Sequence, residues 1–151
     1  MVEAKKDTTF HRKRYIDARE HTGRETIGGS ILSVDLDLTH PLAFGYRDKS
    51  IPVYKNNNVF LNKSKSHYSS VALYSKDPHV DGYVSENNME NNLKGSASLI
   101  VSGLGSGRVV LFADNPNFRG TWYGTNKLFL NAIFFGANIS CLLYTSDAAD
   151  E

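Results

Sequence analysis

Cysteine is nearly missing from this sequence. Cys141 stands alone, so no intrachain disulfide and no multi-cysteine metal site can form. Long apolar runs are missing too: none approaches the roughly 20 residues that a helix needs to cross a bilayer. The stretch from Met1 to Arg14 is charged and lacks the apolar segment of a signal peptide. Neither sign of charge dominates. Seventeen Lys and Arg stand against sixteen Asp and Glu, for a formal charge of +1. That balance offers no electrostatic argument for nucleic acid or for an anionic membrane. No Gly-x-Ser-x-Gly, His-Glu-x-x-His or His-x-x-Glu pattern occurs, and His21 and Glu25 are spaced one residue too far apart for the last. With 40% hydrophobic and 22% charged residues in a chain of 151, the remainder is the composition of one ordinary globular domain with a real core.

The stretch from Gly107 to Gly136 organises the chain. Arg108 to Ala113 is a short apolar run rich in β-branched and aromatic residues, which predicts a central strand covered on both faces. Asp114-Asn115-Pro116-Asn117 stops it, because Pro116 has no N–H for a ladder and Asn and Asp bond their own backbone in turns. From Thr125, Leu128, Phe129, Leu130, Ala132, Ile133, Phe134 and Phe135 cover more than one stripe. They predict a buried helix, with Gly136 as its C′ residue.

Upstream, residues 1–26 are rich in charge of both signs. Thr8 or Thr9 could cap a short helix over Phe10 to Glu20, with Phe10, Tyr15 and Ala18 as its contacts, before Thr22-Gly23 breaks it. Ile31 to Leu38 is the clearest amphipathic strand: Leu32, Val34, Leu36 and Leu38 alternate with Ser33, Asp35 and Asp37. Asp35 and Asp37 share a face, which suits either a catalytic or metal-binding pair or the wet side of an edge strand, the latter favoured. His40, fixed outside the α region by Pro41, is a candidate base or a partner for a backbone carbonyl. Ile51–Tyr54, Val59–Leu61 and Val71–Tyr74 read as short strands, the first two separated by the turn-forming Lys55-Asn56-Asn57-Asn58. Asp77 to Gly82 reads as a polar loop in which Asp77, His79 and Asp81 form a weak cation-binding candidate. Ser85 is placed to cap a short helix with Met89 and Leu93 on one face. The glycines at 103, 105 and 107 lie between two apolar strands, so they suit a hairpin turn and not a phosphate loop, which needs a following helix.

Three blocks carry a family resemblance. They are Gly28-Gly29-Ser30-Ile31 through Asp35-Leu36-Asp37-Leu38-Thr39-His40-Pro41-Leu42-Ala43-Phe44-Gly45-Tyr46, then Gly82-Tyr83-Val84-Ser85, then Gly107 to Phe112 with Asn115-Pro116-Asn117-Phe118-Arg119-Gly120 and Leu128 to Ala132. Over roughly Phe10 to Gly136 the chain resembles the C-terminal region of large bacterial zinc carboxypeptidases, where a carboxypeptidase A-like metallopeptidase domain precedes a class I glutamine amidotransferase-like domain. The resemblance implies a mixed α/β fold, the later part of a flavodoxin-like three-layer domain. Residues 1–26 would be a connector or part of a preceding element, and 27–137 the C-terminal portion of the amidotransferase-like domain. Residues 138–151 would be a non-native tail, the run from Cys141 resembling the translation of a sequencing-library adapter. The zinc of the parent protein would be held by a His-x-x-Glu pair and a later His beyond this chain, so no catalytic, cofactor or metal residue is assigned here. The partner would be the missing N-terminal part of the same protein, including its peptidase domain, in a secreted or periplasmic setting, with no nucleic acid and no membrane span. The implied role is a non-catalytic accessory domain with an apolar edge or face left open. The alternative is a stand-alone module for carbohydrate or protein, binding through Asn117, Arg119 and Trp122, with Tyr123 beside them; against it, Phe118 and Trp122 would simply pack the corner while Arg119 bonds nearby carbonyls.

Overall fold

The computed structural model describes residues 12–105 and 107–139, and they form a mixed α/β fold built on one antiparallel sheet. The strands are β1 (Ser30–Leu36), β2 (Ser50–Lys55), β3 (Ser70–Gly82), β4 (Ala97–Leu104) and β5 (Gly107–Phe112), in spatial order β2-β1-β3-β4-β5. All four pairings are antiparallel. The described strands therefore do not themselves make the parallel sheet of a flavodoxin-like core, and the mixed α/β class is what they establish.

Alternation sets the inner face. Leu32 faces Val53 and Val34 faces Ile51 across β1 and β2, while Val34 and Leu36 face Tyr74 and Ala72 of β3. These side chains form the core with Leu99 and Val101 of β4, and with Leu42, Leu93 and Leu128 from the connecting elements. The sheet curls until its two edges meet at one end, where the Asn115 amide donates to the Tyr54 carbonyl at 3.0 Å. Helix α3 (Tyr123–Phe135) closes the open side through Leu128, and Asn131 fixes it by donating to the carbonyls of Leu42 and Phe44 at 2.8 and 2.9 Å. Tyr46 donates to the Gly124 carbonyl at 2.8 Å, and Lys127 to that of Gly45 at 3.0 Å.

Several expectations are corrected. β5 lies at the edge of the sheet, next to β4, and its outer residues Val109 and Leu111 are 36% and 41% exposed among the described residues. The described residues cover α3 on one stripe: Leu128 is 3% exposed, whereas Ile133 and Phe134 are 61% and 72% exposed. Gly136 is right-handed, at φ −54° and ψ −40°, and runs on into a 3₁₀ turn, Gly136–Asn138, where a left-handed C′ residue was expected. β1 is an interior strand, flanked by β2 and β3, where an edge had been favoured.

The N-terminal helix starts later than expected. A 3₁₀ turn, Tyr15–Asp17, leads into α1 (Ala18–Glu25), which runs through Thr22 and Gly23. Polar pairs along its surface, the ion pair of Arg24 with Glu20 and the contact of His21 with Glu25 at 3.3 Å, support it in place of apolar contacts, and Tyr15 is out in solvent. Its end is held by asparagines: Asn58 and Asn88 both donate to the Glu25 carbonyl, at 3.1 and 2.7 Å. The expected caps Thr8 and Thr9, the contact Phe10 and the tail from Ser140 lie outside the described residues.

The residues from Asp77 to Gly82 belong to β3, paired with β1 through Leu32–His79 and Ser30–Gly82. Two register shifts admit Pro78 there, which is why a run of turn-forming residues is a strand. Val59–Leu61 forms no strand, contributing a single bridge from Leu61 to Ala97. Ser85 does cap a helix, its hydroxyl accepting from the Asn88 amide at 3.2 Å. That helix, α2 (Glu86–Asn88), widens into a π turn over Met89–Leu93. The β4–β5 hairpin also forms, with Gly105 at φ +56° in its turn.

Candidate functional site

The corner between β5 and α3 gathers the residues expected to bind. Asn117 bends the chain, its amide donating to the Asn115 side chain at 3.3 Å, and a 3₁₀ turn follows over Phe118–Gly120. Phe118 stacks on Tyr54 of β2 with ring centroids 3.9 Å apart, and Trp122 lies 6.0 Å from the same ring. The aromatic corner therefore packs against the opposite edge of the sheet. Arg119 is exposed and holds φ at +51°, a left-handed conformation that costs a non-glycine residue about 1–2 kcal/mol. Its guanidinium sits 5.1 Å from the Phe118 ring. Asn117 Oδ1 and Trp122 Nε1 are enclosed with no protein partner among the described residues.

Next to this corner lies a buried polar cluster that the sequence reading did not identify. Lys55, the last residue of β2, has no exposed surface, and its ammonium donates to the Val59 carbonyl at 2.6 Å, the Ala113 carbonyl at 3.0 Å and Asn57 Oδ1 at 3.3 Å. All three protons are used on neutral acceptors. The carboxylate of Asp114 lies 3.7 Å away and is held instead by the hydroxyls of Tyr74, at 2.5 Å, and Ser98. Burial pulls the Lys55 ammonium below its ordinary pKa against the opposing pull of Asp114. Burial likewise pushes Asp114 up, with Lys55, Ser98 and Tyr74 opposing, and pushes the Tyr74 hydroxyl up, helped by the Asp114 charge. With no surface open to a solute, Lys55 binds the curled sheet to itself. A signal for it was present: Ile51, Val53 and Lys55 share the inward face by period two, so the alternation placed a lysine in the core.

The remaining candidates disperse. Asp35 pairs with Lys49 at 3.1 Å, while Asp37 lies beyond the strand and accepts from the Thr39 amide at 3.0 Å and its hydroxyl at 2.6 Å, which lowers its pKa. The two carboxylates do not form a site. His40 accepts from the Leu42 amide through Nδ1 at 3.1 Å, capping the 3₁₀ turn Pro41–Ala43. It meets an amide where a carbonyl had been favoured. His79 Nε2 is bonded to the Gly82 carbonyl at 2.7 Å, and Asp81 accepts from the Gly82 amide, so the Asp77, His79 and Asp81 set does not converge. Among the described residues no group of three or more His, Cys, Asp or Glu is placed to hold a metal, and no helix is long and apolar enough to cross a membrane.

No family model, no curated protein and no solved structure matches this chain.

Proposed function

We propose that this chain is a non-catalytic accessory domain that packs against another part of its own protein, a secreted zinc metallocarboxypeptidase. The observation that carries the reading is the open apolar surface. Leu130, Ile133 and Phe134 recur at i, i+3 and i+4 on the outer side of α3 and are 45%, 61% and 72% exposed. β5 adds Val109 and Leu111 on a strand whose free edge carries no charge between Val109 and Ala113. A surface of this kind is stable in water once another layer covers it. In the proposed parent protein, the antiparallel sheet would extend a parallel flavodoxin-like sheet contributed by preceding residues, and the missing third layer would cover α3. Zinc would be bound by the peptidase part. No constellation for it exists among the described residues.

The test is the DNA upstream of the first codon. An open reading frame running into a peptidase domain with a His-x-x-Glu pair is the expected result. An upstream stop codon in the natural gene overturns the reading. A second function, a stand-alone binding module for carbohydrate or protein, has one observation in its favour: the strained, exposed Arg119 on the Tyr54–Phe118 stack, with Asn117 and Trp122 beside it.

A further inference from the structure

A trough of about 620 Å³ runs between β3 and the end of the π turn, lined by Asp35, Lys63, Ser75, Lys76, Lys94 and Gly95. A smaller cleft of about 250 Å³ shares Lys63, Lys94 and Gly95 and continues it past Asn62, Asn91 and Asn92. The charges here are unevenly satisfied. Asp35 is neutralised by Lys49, and Lys94 is paired with Glu90 and lies in the field of Asp77. Lys63 and Lys76 have no carboxylate within ion-pairing distance among the described residues. The Lys63 ammonium is drawn over Gly95, 3.7 Å from where a Cβ would stand, so it is held at the trough and not splayed into solvent. Ser75, on the trough wall, has an enclosed hydroxyl with no partner among the described residues.

We propose that this trough binds an oxyanion, a carboxylate or a phosphate group, between Lys63 and Lys76, with the Ser75 hydroxyl turned to donate to it. Two compact ammonium groups and a hydroxyl are suited to an anion of that size and have no shape preference between the two chemistries. The anion would supply the counter-charge that the protein does not, and it would satisfy the orphaned hydroxyl. This inference is independent of the accessory-domain reading, since neither the open face of α3 nor the edge of β5 takes part.

Thermal unfolding of the full chain tests it, with inorganic phosphate and N-acetylglutamate titrated separately at constant ionic strength. A ligand that binds the folded state raises the midpoint in a saturable way. A saturable rise with phosphate alone identifies a phosphate site, one with N-acetylglutamate alone a carboxylate site, and one with both a general oxyanion site. In the Lys63→Gln/Lys76→Gln double variant, which unfolds at the wild-type midpoint without ligand, the affinity falls at least tenfold. Ser75→Ala gives a smaller loss. No saturable rise with either anion, or a rise that the double variant retains, overturns the proposal. Should the double variant unfold early, amide shifts of Ser75 and Gly95 in labelled wild-type protein decide the matter: saturable shifts support the site, and flat ones refute it.

Discussion

Lys55 and Asp114 lie 3.7 Å apart, the first sealed from solvent and the second buried, at the point where the last residue of β2 meets the residues that follow β5. The two ends of the sheet come together around them. Removing one partner strands the other charge, so Lys55→Met should destabilise the chain by about 3–5 kcal/mol. Asp114→Asn keeps an acceptor for one of the two hydroxyls, Tyr74 or Ser98, and should cost less. The double variant should be more stable than the sum of the two losses implies, with a coupling of about 0.5–3 kcal/mol. Urea unfolding of the four proteins checks this, and strict additivity would show that the pair does not act as a unit.

Two left-handed glycines should respond differently to alanine. Gly82 holds φ at +86°, and a Cβ there would lie 2.6 Å from the Gly29 carbonyl oxygen, a backbone atom that cannot swing aside. Gly105 holds φ at +56° with open space around it. Gly105→Ala should therefore cost only the conformational term, about 1–2 kcal/mol. Gly82→Ala should cost more, because β1 and β3 must also move apart. Equal losses in denaturant midpoint would refute the steric argument.

Much of this architecture was legible because period two was clean where one face meets the core. Leu32, Val34 and Leu36 gave β1, and the glycines at 103 to 107 gave the hairpin. Legibility failed where long-range geometry overrides local chemistry. Pro78 and Asp81 look like loop residues, yet register shifts let β3 carry them. The apolar composition of β5 and α3 announced burial on all sides, whereas the described residues cover one face of each. Lys55 was read as a turn residue because its partners Ala113 and Asp114 are far away in sequence, and only the curl of the sheet brings them near. In the corner, the aromatic packing of Phe118 and Trp122 was legible, but its target Tyr54 was not.

His40 should give the fold a mild acid sensitivity. Burial lowers its pKa below the ordinary value, with the Asp37 charge opposing, and its unprotonated Nδ1 accepts the Leu42 amide. A depressed folded pKa means that the unfolded chain takes up a proton first. Stability is thus full above the unfolded value of about 6.5 and falls as the pH drops from there through the folded pKa. His40→Asn retains a capping acceptor without titrating. Urea midpoints of wild type should decline below about pH 6.5 while those of the variant stay flat over the same window. Parallel curves would remove His40 as the cause.

The two sides of α3 should separate stability from solubility. Leu128 is 3% exposed and lies in the core, so Leu128→Ala should cost about 2–5 kcal/mol. Ile133 and Phe134 project outward, and replacing both with charge, as Ile133→Lys with Phe134→Glu, removes apolar surface without opening a cavity. That double variant should keep the wild-type unfolding midpoint within about 0.5 kcal/mol, stay monomeric at higher concentration and bind less of a hydrophobic dye. If the midpoint collapses instead, the outer side of α3 is already covered by the chain itself, and the case for a docking surface there fails.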